Sequence, residues 1–271
     1  MINIKQLEMM YFSNNESVPY GLKNSLNGKN IILNIKPILV RDWSLFGGCL
    51  DLFEYQQQDY NDINILSMNY LDFVINILLK QVNEQNINVY ETKLAMIFNY
   101  SCNISDIRLG TFKKKSCLVI FEDNKEVAII TAKEFDEIRK IILYQNIYDY
   151  DDRYVNPDVK RLYETYVRSK NKNVENPTLE KQKIFVISKT GISMKDINNM
   201  TYRTFSQVYR TNVQVDLYFA NKMLQANERI KDDVVYPLYE KEKDKYAELF
   251  VGMNKLSELG ISGTEQLQNI Q

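Results

Sequence analysis

The chain has 271 residues, 45% hydrophobic and 25% charged, with 34 basic and 35 acidic side chains and a formal net charge of −1. That composition supports a sizeable core, and it excludes wholesale disorder and a global positive footprint for nucleic acid or anionic membrane. There is no histidine, and the cysteines are Cys49, Cys102 and Cys117, so His-dependent hydrolysis, His-ligated metal chemistry and the ordinary pH switch near neutrality fall away.

The start, Met1 to Glu8, lacks the long apolar run of a signal peptide. No stretch approaches the roughly 20 apolar residues of a membrane-spanning helix. The widely spaced cysteines form no C-x-x-C pair, which leaves a zinc ribbon or redox motif unsupported and makes a reducing, cytoplasmic compartment the expectation.

Ile31 to Leu39 reads as a β-branched strand ended near Pro37. Asp42 is a candidate cap for a helix from Trp43 to about Tyr55, weakened by Gly47-Gly48. A longer helix is predicted from about Asp62 to Gln81, with Leu71, Val74, Ile75 and Leu78 on one stripe, and a shorter one around Glu91 to Asn99. Ile107 to Phe112, Ser116 to Phe121 and Val127 to Ile130 form an antiparallel meander, with turns at Lys113-Lys114-Lys115 and Glu122 to Lys125. Thr131 and Glu134 have capping-box spacing, so a helix starts there, buries Phe135, Ile138, Ile141 and Ile142, and ends near Asn146.

Tyr148 to Val155 is acidic, aromatic and aperiodic, and reads as a linker. Asn156-Pro157 opens a helix to about Ser169, followed by a polar loop to Asn176. Pro177-Thr178 starts a helix with Ile184, Phe185 and Ile187 apolar, stopped by Gly191. Ser193 and Asp196 suit a second capping box, for a helix ending near Met200. Thr201 caps a long helix to about Glu228, with Phe205, Val208, Leu217 and Phe219 available for burial. Pro237 to Leu259 is charged and helical in character. The resulting class is α+β: a mixed α/β domain over residues 1–147 with antiparallel hairpins, an acidic linker over 148–154, a helical domain over 155–260 and a flexible tail over 261–271.

Chemistry-bearing constellations are sparse. Lys113-Lys114-Lys115 sits at a hairpin tip, where lysines are ordinarily solvated. Asp149, Asp151 and Asp152 lack an EF-hand ligand pattern, and Asp232-Asp233 are adjacent and diverge by about 100° on a helix. Gly47-Gly48 lacks the context of a phosphate loop. No catalytic, cofactor-binding or metal residue is therefore predicted. The C-terminal helices instead concentrate Tyr202, Phe205, Tyr209, Tyr218, Phe219, Met223, Tyr236 and Tyr239, and such enrichment suits a protein-binding surface or, equally, a bundle core.

The runs Phe135 to Asn146, Asn156 to Lys160, Pro177 to Gln182, Thr190 to Ile197 and Met200 to Phe205 are similar in order and spacing to a family of tail assembly chaperones from tailed phages of low-GC Gram-positive bacteria. The resemblance covers Phe135 to Phe205 and brings no catalytic residue. It implies a phage morphogenesis role in the host cytoplasm, holding tape-measure or tail-tube subunits before polymerisation, with self-association as a further option. Two other readings stand beside it: a structural virion component of baseplate, neck or capsid, and a nucleic-acid-binding protein or enzyme working with Lys, Tyr and carboxylates.

Overall fold

The structure, a computed structural model, describes residues 3–26, 28, 30–60, 62–78, 87–152, 157–170, 176–227 and 234–239. It is an α+β fold. Strands β1 (Val18–Leu22) and β3 (Ile31–Ile35) pair antiparallel. A second, antiparallel sheet has the order β2-β6-β5-β4, from β2 (Asn24–Ser25), β4 (Asp106–Phe112), β5 (Lys115–Glu122) and β6 (Lys125–Thr131).

The two turns of the meander are made in the same way. Lys113 and Lys114 have φ of 50° and 64°, and Asp123 and Asn124 have φ of 49° and 60°. Two successive positive φ values are the signature of the hairpin turn whose twist matches its strands. Asp and Asn suit that conformation, whereas lysine adopts it at a cost of about 1 kcal/mol.

Ten helices are labelled in chain order: α1 (Ile4–Leu7), α2 (Trp43–Glu54), α3 (Ile63–Ser67), α4 (Tyr70–Phe73), α5 (Ile87–Cys102), α6 (Ala132–Asn146), α7 (Pro157–Lys170), α8 (Leu179–Thr190), α9 (Met194–Asn199) and α10 (Tyr202–Ala226). The predicted helix from Asp62 to Gln81 is interrupted. Asp62 caps α3, the chain extends at Met68, and Asn69 caps α4, which runs into a π-helical turn over Val74–Leu78. Gln57 holds the break open, its side-chain amide donating to the carbonyls of Ile65 (2.7 Å) and Met68 (2.8 Å). Residues 79–81 of that prediction lie outside the described residues. Asp42 occupies the N-cap of α2 without a side-chain capping bond. The strand predicted to reach Leu39 ends at Ile35, and Leu39 makes an isolated bridge to Thr201 instead.

Helix α6 organises the main core. Thr131 and Glu134 form the complete capping box, and the second Glu134 carboxylate oxygen accepts from the Lys23 N–H (2.9 Å), tying the link between β1 and β2 to the helix start. Phe135, Ile138, Ile141 and Ile142 are fully buried, against Leu118 and Ile130 of the sheet and Phe53, Leu71 and Phe98 of the helices. At its far end Asn146 accepts from the Ile38 N–H, and Gln145 donates to the carbonyls of Glu16 and Ile35. These buried amides satisfy backbone groups where β3 has run out.

The chain divides into two compact units, residues 1–153 with 177–216, and residues 154–176 with 217–271. This differs from the predicted boundary at 148–154, because Pro177–Asp216 belongs with the N-terminal part. The Val40 N–H donates to the Met200 carbonyl, and the Tyr202 N–H donates to the Ile38 carbonyl. Val40, Val186, Ile197 and Phe205 form a second buried cluster of the same unit. Helix α10 starts in the first unit and ends in the second. Asn156, the polar loop before Asn176, and everything predicted beyond residue 239, the tail over 261–271 included, lie outside the described residues.

Candidate protein-binding surface

Five of the eight aromatic and methionine positions singled out in the sequence lie in the second unit, and three lie in the first. The first three are packing residues. Phe205 is fully buried. Tyr202 stacks on Trp43, and Tyr209 meets Phe185 edge to face with centroids 5.7 Å apart. Their neighbour Arg203 is buried too, donating to the Tyr144 carbonyl and pairing with Glu8 at 2.6 Å. Thr201 and Thr204 close this start of α10 by sharing the side-chain oxygen of Asn15.

The second half of α10 is different. Leu217 is 57% exposed, Phe219 58% and Met223 69%, so the burial expected of Leu217 and Phe219 does not occur. Tyr218 turns the other way, its ring 5.0 Å from Tyr236 in an edge-to-face pair. Tyr236 leads into a single 3-10 turn, Pro237–Tyr239, in which Leu238 and Tyr239 stand 77% and 75% exposed. Five large apolar side chains of one unit therefore face solvent beside the edge-to-face contact between Tyr218 and Tyr236.

Counting aromatics and methionines in the sequence passes over Leu217 and Leu238. The available signal is helical spacing: Leu217, Ala220 and Leu224 recur at three and four residues beside Phe219 and Met223, off the stripe that holds Tyr218, Lys222 and Gln225. Leu162 and Tyr166, one turn apart on α7 of the same unit, are exposed as well.

Several titratable groups of the first unit are engaged in contacts within it. A cleft of about 570 Å³ lies beside α6, lined among others by Tyr70, Asp136, Lys140 and Asp152. Lys140 lies 3.7 Å from Asp136 and 3.3 Å from Asp152, so its charge is spent within the wall. Burial pushes the Tyr70 phenol above its ordinary value, against the pull of the neighbouring Arg139. Asp149 pairs with Arg210 at 2.8 Å. Among the described residues no group of three His, Cys, Asp or Glu could hold a metal ion, and no helix is long and apolar enough to cross a membrane. No protein-family model, curated protein or solved structure matches the chain.

Proposed function

We propose that this chain works by protein contact, as a non-catalytic assembly protein whose binding face is the exposed side of α10 from Leu217 to Leu224 together with Val235 to Tyr239. The observation that carries the reading is the solvent exposure of Leu217, Phe219, Met223, Leu238 and Tyr239 on one unit. Exposed apolar side chains gathered in this way mark surfaces that bind other proteins, and aromatic and methionine side chains are the ones such surfaces enrich. An amphipathic helix of the partner is the fitting ligand, because a helical ridge of this kind offers anchors at three- and four-residue spacing.

The narrower role, a phage tail assembly chaperone that keeps tape-measure or tail-tube subunits soluble, rests on the resemblance of Phe135 to Phe205. The residues behind that resemblance serve as caps and core in the structure: Thr178 and Ser193 cap α8 and α9, Gly191 closes α8 in the left-handed conformation, and Phe205 is buried. They support a shared scaffold, while the binding face lies downstream of them. Co-expression with the tape-measure protein tests the role. The expected result is a co-purifying complex that Phe219→Asp with Met223→Asp abolishes while the fold persists, and absence of the chain from purified virions by mass spectrometry. A chain present in the virions is a structural component instead, and a tape measure soluble on its own with no complex removes the chaperone role.

A further inference from the structure

Strand β4 ends the four-stranded sheet, and among the described residues no strand pairs with its outer side. An open edge presents a row of backbone donors and acceptors to any extended chain, and proteins normally blunt it with proline, a bulge or isolated charges. β4 carries no proline, and its register with β5 runs unbroken from Asp106 to Phe112. Its charged residues, Asp106 and Arg108, are paired with each other at 2.6 Å. The core side of the sheet continues to this margin: Ile107 and Leu109 lie across from the buried Ile120 and Leu118, and Leu109 is left 37% exposed.

The two ends of this edge carry opposite charge. At the β4–β5 turn, Lys113, Lys114 and Lys115 are all exposed, and no ion pair with a described residue engages them. At the other end stand Asp106, Glu122, Asp123 and Glu126, against Arg108 and Lys125. A parallel copy of the strand would set lysine turn on lysine turn. An antiparallel copy sets each lysine turn beside the acidic end of the other chain.

We propose that two copies of this chain pair antiparallel through β4 about a two-fold axis near Leu109, forming a continuous eight-stranded sheet in which the Lys113–Lys115 turn of each copy meets Asp106, Glu122 and Asp123 of the other. Leu109 then faces its own counterpart, Ile107 faces Thr111, and the core layer continues across the axis. The edge hydrogen bonds supply affinity, and the charge pattern selects direction and partner. This goes beyond the binding face on α10 and does not rest on it, since β4 lies in the first unit.

Sedimentation equilibrium of the full chain tests it. The wild type is expected to dimerise, with association weakened by added salt. Changing Lys113, Lys114 and Lys115 to Glu in one variant, and Glu122 and Asp123 to Lys in another, is expected to raise each dissociation constant at least ~10-fold, since like charges then meet at both ends. Mixing the two variants restores both contacts and is expected to give a heterodimer, which also shows that both remain folded. A monomeric wild type, variants that dimerise as the wild type does, or a mixture that stays monomeric each overturns the proposal.

Discussion

Trp43 and Tyr202 lie face to face, ring centroids 3.4 Å apart and planes inclined by 4°. Trp43 is the sole tryptophan of the chain and opens α2, while Tyr202 opens α10. Indole emission therefore reports whether residues 198–205 are seated on residues 38–43. Tyr202→Ala is expected to shift that emission and to cost about 2 kcal/mol in chemical denaturation, the loss of a half-buried aromatic contact. A Cβ at Gly47 would sit 3.0 Å from Cε2 and Nε1 of the same indole. Gly47→Ala is thus expected to change the emission and to return less than the ~1 kcal/mol that helix propensity alone would add.

Arg139 is a buried cation fixed on three sides. Its guanidinium lies 3.7 Å over the Tyr70 ring, donates to the Phe53 carbonyl at 2.8 Å, and donates to Asp136 through Nε and Nη2. An ammonium cannot reproduce a planar fork that stacks and donates at once. Arg139→Lys is expected to lower stability by about 2–3 kcal/mol, read from the urea midpoint, and Asp136→Asn by less, because Asp136 is partly solvated.

The lysine turn at Lys113-Lys114 offers a stabilising change. Replacing Lys113 by Asn and Lys114 by Gly installs the residues that a turn with two positive φ values prefers. A gain of about 1 kcal/mol is expected for the monomer, visible as a higher melting temperature, with unchanged circular dichroism, when variant and wild type are compared at a concentration where both are monomeric.

Three tyrosines set an alkaline limit. Tyr20, Tyr70 and Tyr144 are all raised above the ordinary phenol value, each first by burial, with the carboxylates of Glu137 and Asp152 adding to the effect at Tyr20 and Tyr144. The folded chain keeps these phenols neutral, whereas the unfolded chain ionises them near pH ~10. Their contribution is fully present below that value and is lost as pH rises above it. The melting temperature is expected to hold to about pH 9.5 and then to fall, with a shallower fall in Tyr70→Phe and Tyr144→Phe.

The thiols should be silent in the native state. Cys49, Cys102 and Cys117 are free and buried, and burial pushes Cys102 up to about 12 and raises the other two. At about pH 8 a thiol-reactive dye is expected to label none of them within minutes, and all of them once urea unfolds the chain.

Much of the local architecture is legible in the sequence, because its causes are local. The Thr131–Glu134 box, the Thr178 and Ser193 caps, the Gly191 stop and the Asp123-Asn124 turn each depend on residues within a few positions, and each forms where the sequence places it. The break at Met68 is not legible, since the amide that stabilises it comes from Gln57 outside the helix. Nor is the unit boundary, which depends on partners as distant as Arg41 and Asn199, 158 residues apart. The aromatic signal divides for the same reason. Phe205 and Phe219 are equivalent letters on one helix, and the presence of Val40 and Ile197 beside the first, and of no comparable buried cluster among the described residues beside the second, makes one core and the other surface.

The bridge between Leu39 and Thr201 also has a consequence in time. A ribosome adding about 5–20 residues per second delivers Thr201 on the order of ten seconds after Leu39. Throughout that interval the nascent chain presents Val40 and Trp43 without Phe205 and Tyr202, so the seat on which Pro177–Asp216 closes stands open until synthesis has passed it.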